Sequence, residues 1–121
     1  MKHCIAILLS FVTGTCAAAG LPAPAQAEIA HLFSYLEKSG CQFNRNGSWY
    51  APAEAVGHLN KKYQYLLDKN LVSSAEDFIE RAAKESSMSG KPYLVKCDNA
   101  APVESAIWFK RELAAYRKTK Q

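Results

Sequence analysis

Glu54, His58 and Lys62 stand at four-residue steps in the segment EAVGHLNKK. On a helix that spacing lines three side chains along one flank. A carboxylate beside an imidazole is half of a general-base arrangement: the charge would orient the ring and raise its pKa. With Ser87 or a water molecule as nucleophile, the trio would describe a small hydrolase using His58 as base and Glu54 as its orienting partner. The same spacing describes an i, i+4 ion pair on a partly wet surface, and no partner nucleophile is identifiable from the sequence. A second chemical suspect is SSMSGKPY, residues 86–93. The serine-hydrolase elbow requires G-x-S-x-G, which is not here. An S-x-x-K pair would need serine at position 88, which is Met88, and a phosphate loop needs Ser or Thr after Gly-Lys, where Pro92 follows Gly90-Lys91. The stretch therefore reads as the stop of a helix and the start of a strand, with the hydroxyls of Ser86, Ser87 and Ser89 left as candidates for holding a small polar ligand.

Arg45 is the third suspect. It alternates with Phe43, so the two share a strand face. If Phe43 packs inward, Arg45 lies along the helices and pairs with a carboxylate, Glu54 or Glu76; a structural arginine and an anion-binding one fit equally well. Trp49, Tyr50, Tyr65 and Trp108 do not all fall on the apolar stripes, so each is either an edge of the core or an anchor for a partner or glycan. No cofactor is expected. No metal site is expected either, because Cys-x-x-Cys is missing and neither His31 nor His58 is at zinc spacing from a cysteine.

The elements that must position these groups follow from periodicity. Ile29, Leu32, Phe33 and Leu36 predict a first helix over 28–38, with His31 and Tyr35 off its apolar face and Gly40 behind it. Asn46-Gly47 between two β-prone runs predicts a hairpin with strands at 41–45 and 48–51. Pro52 suits the first turn of a second helix reaching about Lys69, its stripe built from Ala55, Val56, Leu59, Tyr63 and Leu66. Gly57 sits inside that stripe and suggests a close helix contact. Ser74 with Asp77, or Ser73 with Glu76, forms a capping box for a third helix ending near Lys84. Tyr93–Cys97 has strand composition, and Ala106, Phe109, Leu113 and Tyr116 define a last helix from about Val103 to Lys118. The order α-β-β-α-α-β-α predicts an α+β fold: a three-stranded antiparallel sheet, hairpin plus one later strand, packed with four helices.

The N-terminal residues bear on location. Met1-Lys2-His3 is a short cationic start, Cys4 to Leu21 is nearly all apolar or small, and Ala25-Gln26-Ala27 has the small-x-small pattern of a cleavage site. The expectation is a secretory signal over residues 1–27 and a single domain over 28–121, with a lipid-modified Cys16 disfavoured by the threonine before it. Too few continuous apolar residues are present for a lasting membrane anchor. Cys41 and Cys97 remain after removal of the signal, and two cysteines in an exported chain are expected to pair. Removing Lys2 from the 15 basic residues leaves 14 against 11 acidic ones, a net charge of +3. That is too mild, without a motif, to indicate nucleic acid.

FNRNGSWY at 43–50, EAVGHLNKK at 54–62, SAEDFIERAAKESSMSGKPY at 74–93 and SAIWF at 105–109 together resemble the YfeK-like proteins, small exported bacterial proteins grouped as a domain of unknown function. The likeness covers most of the chain after the signal. It implies a periplasmic single-domain protein and brings no activity, cofactor or catalytic residue. The shared pattern includes Arg45, Asn46, Gly47, Glu54, His58, Ala75, Glu76, Phe78, Ser87, Ser89, Gly90 and Tyr93. From it, Arg45, Glu54, His58, Glu76, Ser87, Ser89 and Tyr93 make up the candidate ligand-binding set. The functional expectation is a monomeric, non-enzymatic module binding a small polar ligand or an envelope partner. The alternatives are the His58 hydrolase and an envelope stress or maintenance protein.

Overall fold

Asn46 and Gly47 both take positive φ, 51° and 85°. This backbone is what a two-residue hairpin demands, and an Asn-Gly pair adopts it at low cost. The turn joins β1 (Gln42–Arg45) to β2 (Ser48–Tyr50). The structure, a computed structural model, describes residues 20–121. The signal expectation for residues 1–19 lies outside the described residues.

The first helix, α1 (Ala23–Lys38), begins five residues before the expected start. Pro22 precedes it and Pro24 lies in its first turn, where a missing N–H costs nothing. Leu21 and Ala25 are buried with Ile29, Leu32 and Leu36. The second helix, α2 (Pro52–Asp68), follows β2 directly and buries Ala55, Leu59 and Leu66. A Cβ at Gly57 would meet nothing within 4 Å, which overturns the close-contact reading. Gly57→Ala should therefore stabilise the fold by roughly 0.5–1 kcal/mol through helix propensity alone, measurable as a higher Tm.

Ser74 caps α3 (Ala75–Phe78): its Oγ accepts from the Asp77 N–H at 3.0 Å, while the Asp77 carboxylate accepts from the Ser73 N–H and hydroxyl. These bonds to Ser73 hold the Asp77 carboxyl below its usual range. Of the two expected boxes, Ser74–Asp77 is the one formed. The helix widens into a π-helical turn, Ile79–Ala83, before the serine loop.

The sheet has four antiparallel strands in the order β2-β1-β3-β4, with β3 at Leu94–Lys96 and β4 at Val103–Glu104. The fourth strand is an addition to the expected three. Val103 and Glu104 pair with Val95 and Leu94 instead of opening the last helix, so α4 starts at Ser105 and runs to Lys118. Phe43 and Val95 are register partners on the buried face, and Phe43 is also opposite Tyr50. The other face carries Asn44, Trp49 and Leu94 in one row and is more exposed. The helices thus cover one side of the sheet, as expected for α+β.

Gln42 and Lys96 are the last paired residues of β1 and β3, and a disulfide joins Cys41 to Cys97 just beyond them. Across the helical layer, Phe78 is wholly buried. Its ring centroid is 5.1 Å from that of Phe33 on α1, 5.5 Å from Tyr63 on α2 and 6.3 Å from Phe109 on α4. Trp108 is buried against Tyr35 and Phe109, so it belongs to the core; Trp49 and Tyr65 remain exposed.

Candidate functional site

The hairpin turns one face toward α2. Phe43 and Tyr50 share that face as register partners, and Arg45 follows Phe43 by two. From the helix come Glu54 and, one turn later, His58. Phe43, Arg45, Tyr50, Glu54, Ala55 and His58 line a single cavity of about 130 Å³. Three of the seven candidate residues therefore meet there, and a fourth, Tyr93, lies behind them.

Tyr93 is 1 % exposed, and its ring packs 5.1 Å from Phe43. Its hydroxyl lies 3.0 Å from His58 Nε2 and 3.1 Å from Lys62 Nζ. Lys62 also donates to the Glu85 carbonyl at 2.9 Å. An ammonium can only donate, so the Tyr93 oxygen accepts from Lys62 and turns its own proton to His58. Burial, then Arg45, Lys62 and Lys61, lower the His58 pKa. The ring is therefore neutral at pH 7, accepting at Nε2 and carrying its proton on Nδ1. Burial likewise lowers the Lys62 pKa and raises that of Tyr93.

Two sequence expectations are corrected by this geometry. Glu54 does not hold His58 or raise its pKa: Tyr93, 35 residues away in sequence, is the hydrogen-bond partner, and burial together with nearby positive charge pushes the pKa down. Arg45 pairs with neither Glu54 nor Glu76. Among the described residues neither Arg45 nor Glu54 takes part in an ion pair or side-chain hydrogen bond, although both line one cavity.

Glu76 is placed elsewhere. It meets Arg117 of α4, which also donates to Glu28 of α1 at 2.7 and 3.1 Å. The hydrogen bonds from Arg117 hold the Glu28 carboxyl below its usual range, so this trio ties three helices together. The serine loop is also mainly structural. Ser89 Oγ donates to Asn46 Oδ1 at 2.6 Å, and Ser86 Oγ accepts from Asn46 Nδ2 and from the Met88 and Ser89 N–H groups. Gly90, at φ 70°, completes the turn. Ser87 lines a separate cavity of about 240 Å³ with Lys61, Lys62 and Arg81. His31 bonds Glu112 at 3.0 Å and stacks on Tyr116.

Lys62 continues the Glu54–His58 flank that the four-residue spacing predicts, and Tyr50 joins the cavity through the hairpin register that puts it opposite Phe43. Among the described residues no group of His, Cys, Asp and Glu is arranged to hold a metal ion, and no helix is long and apolar enough to cross a membrane.

The neutral His58 has a consequence for stability. Its folded pKa lies below the unfolded value near 6.5, so the unfolded chain takes the proton first as pH falls. The contribution is complete above 6.5 and is lost as pH drops from there toward the folded value. Urea unfolding at pH 7.5 and 5.5 should show wild type losing stability relative to His58→Gln on acidification. An unchanged difference between the two proteins would contradict the assignment.

A helix-covered antiparallel sheet with one disulfide at its end, and a small cavity where hairpin meets helix, defines an α+β protein. The chain belongs to a family of unknown function (DUF5329), whose model matches residues 23–117. It is similar to the uncharacterized protein YfeK of Salmonella typhimurium, at 34 % identity over 94 residues that cover 77 % of each chain. No solved structure matches it.

Proposed function

We propose that this chain is an exported, periplasmic, non-enzymatic binding module whose hairpin–α2 cleft takes a small polar ligand bearing a negative group. The observation that carries the reading is Arg45: a half-buried arginine that lines a cavity and has no carboxylate partner among the described residues. A charge withdrawn from water without a partner is costly, and an anion entering the cleft would offset that cost. The planar fork suits a carboxylate or phosphate. The Nδ1–H of His58 adds a neutral donor, and Glu54 on the same wall favours a ligand that also has a donor or positive group. Against a hydrolase, the acceptor nitrogen of His58 is occupied by Tyr93, and Ser87, the expected nucleophile, lines a different cavity from His58 and Glu54.

The test is a thermal-shift screen with acetate, inorganic phosphate and small amino acids, run on wild type and Arg45→Ala. The reading expects a concentration-dependent rise in Tm for wild type that Arg45→Ala abolishes. Equal shifts in both proteins, or none in either, would count against it.

A further inference from the structure

We propose that the export signal is removed between Ala19 and Gly20, eight residues upstream of the cut after Ala27 that the small-x-small pattern Ala25-Gln26-Ala27 suggests. Residues 20–27 belong to the folded domain. Leu21 and Ala25 are 8 % and 7 % exposed and form part of the core. Leu21 lines one groove with Phe33 of α1 and with Tyr63 and Leu67 of α2. Gln26 Nε2 donates to the Leu21 carbonyl at 2.8 Å, and the Gln26 N–H donates to the Pro22 carbonyl at 3.0 Å. Pro22 and Pro24 fit the start of α1, which would lose its first turn in a chain beginning at Glu28. The family model also begins at residue 23, within the segment that cleavage after Ala27 would discard.

The sequence supplies the alternative site. Ile5 to Val12 is a continuous run of apolar and small residues, and Ala17-Ala18-Ala19 follows shortly after it. This is the order of a short apolar region and a small-residue site that an envelope signal peptidase recognises. Cleavage after Ala27 would instead leave a long, proline-bearing stretch between the two. The step is hydrolysis: water adds across the Ala19–Gly20 peptide bond, leaving a carboxylate on Ala19 and an ammonium on Gly20.

Intact mass and N-terminal sequencing of the full chain expressed in a bacterial host and purified from the periplasm decide the matter. The expected N-terminus is Gly20; Glu28, any other residue, or an uncleaved chain overturns the proposal. Ala19→Tyr should retain the leader and Ala27→Tyr should be processed like wild type; the reverse pattern also overturns it. A chain beginning at Glu28 should melt roughly 10 °C below one beginning at Gly20 once Leu21 and Ala25 are missing from the core. Equal melting temperatures would remove the structural ground for the upstream site.

Discussion

Reduction of the Cys41–Cys97 disulfide, or its replacement by two serines, is expected to lower the free energy of unfolding by about 4 kcal/mol. The bonded cysteines are 56 residues apart in sequence, and the loop they close contains both hairpin strands, α2, α3 and β3. In the chain-entropy model a crosslink over such a span removes much of the conformational freedom of the unfolded chain. For a domain of this size the loss is a large share of a total stability of about 5–15 kcal/mol. It also has a functional side. The crosslink closes the end of the β1–β3 ladder, and β1 ends in Arg45 while β3 follows directly on Tyr93. Urea titrations with and without a thiol reductant measure the effect. A reduced protein as stable as the oxidised one would show that the ladder and the helices hold the sheet unaided.

Phe78→Ala is expected to cost about 4 kcal/mol. The side chain is wholly buried, and its ring touches aromatic rings from α1, α2 and α4, so no single neighbour can move to refill the space. Large-to-small changes cost most where the surroundings cannot collapse. Phe78→Leu keeps much of the volume and should cost roughly 1–2 kcal/mol. Because Tyr63 lies on the same helix as Glu54 and His58, the alanine variant should also loosen the cleft. Chemical denaturation of the two variants beside wild type tests the ranking, and similar losses for alanine and leucine would contradict the packed-hub reading.

The parts of this fold that were readable in the sequence are those in which a single residue type meets a strict backbone demand. Asn46-Gly47 announced the hairpin because few other pairs accept two positive φ values, and Pro52 marked the start of α2. Cys41 and Cys97 announced the sheet neighbours, since a domain of this size gains much from one bridge. Two boundaries differ from the periodicity for physical reasons. Pro22 and Pro24 break helix interiors but suit helix starts, so α1 begins at Ala23 rather than at residue 28. Val103 and Glu104 are too few to show a strand period, and only pairing with β3 makes them a strand.

The candidate site was legible in its members more than in its bonds. Arg45, Glu54 and His58 do converge, because strand alternation and helical steps of four fix which faces they occupy. Neither rule gives distances between elements. His58 was assigned to Glu54 by proximity along the helix, yet Tyr93 arrives from across the fold and takes its Nε2. Arg45 is expected to find a carboxylate and has none among the described residues, which no one-dimensional pattern can show. Glu76 meets Arg117, a contact that only the packing of the helices brings about.

The most direct test of the cleft as a ligand site is a nuclear magnetic resonance titration that follows the Arg45 Nε–H and the His58 ring while acetate or inorganic phosphate is added. The account predicts saturable shifts at both groups, lost for His58 in Arg45→Ala. Shifts confined to Lys61, Arg81 or Arg117, with Arg45 and His58 unmoved, would contradict it.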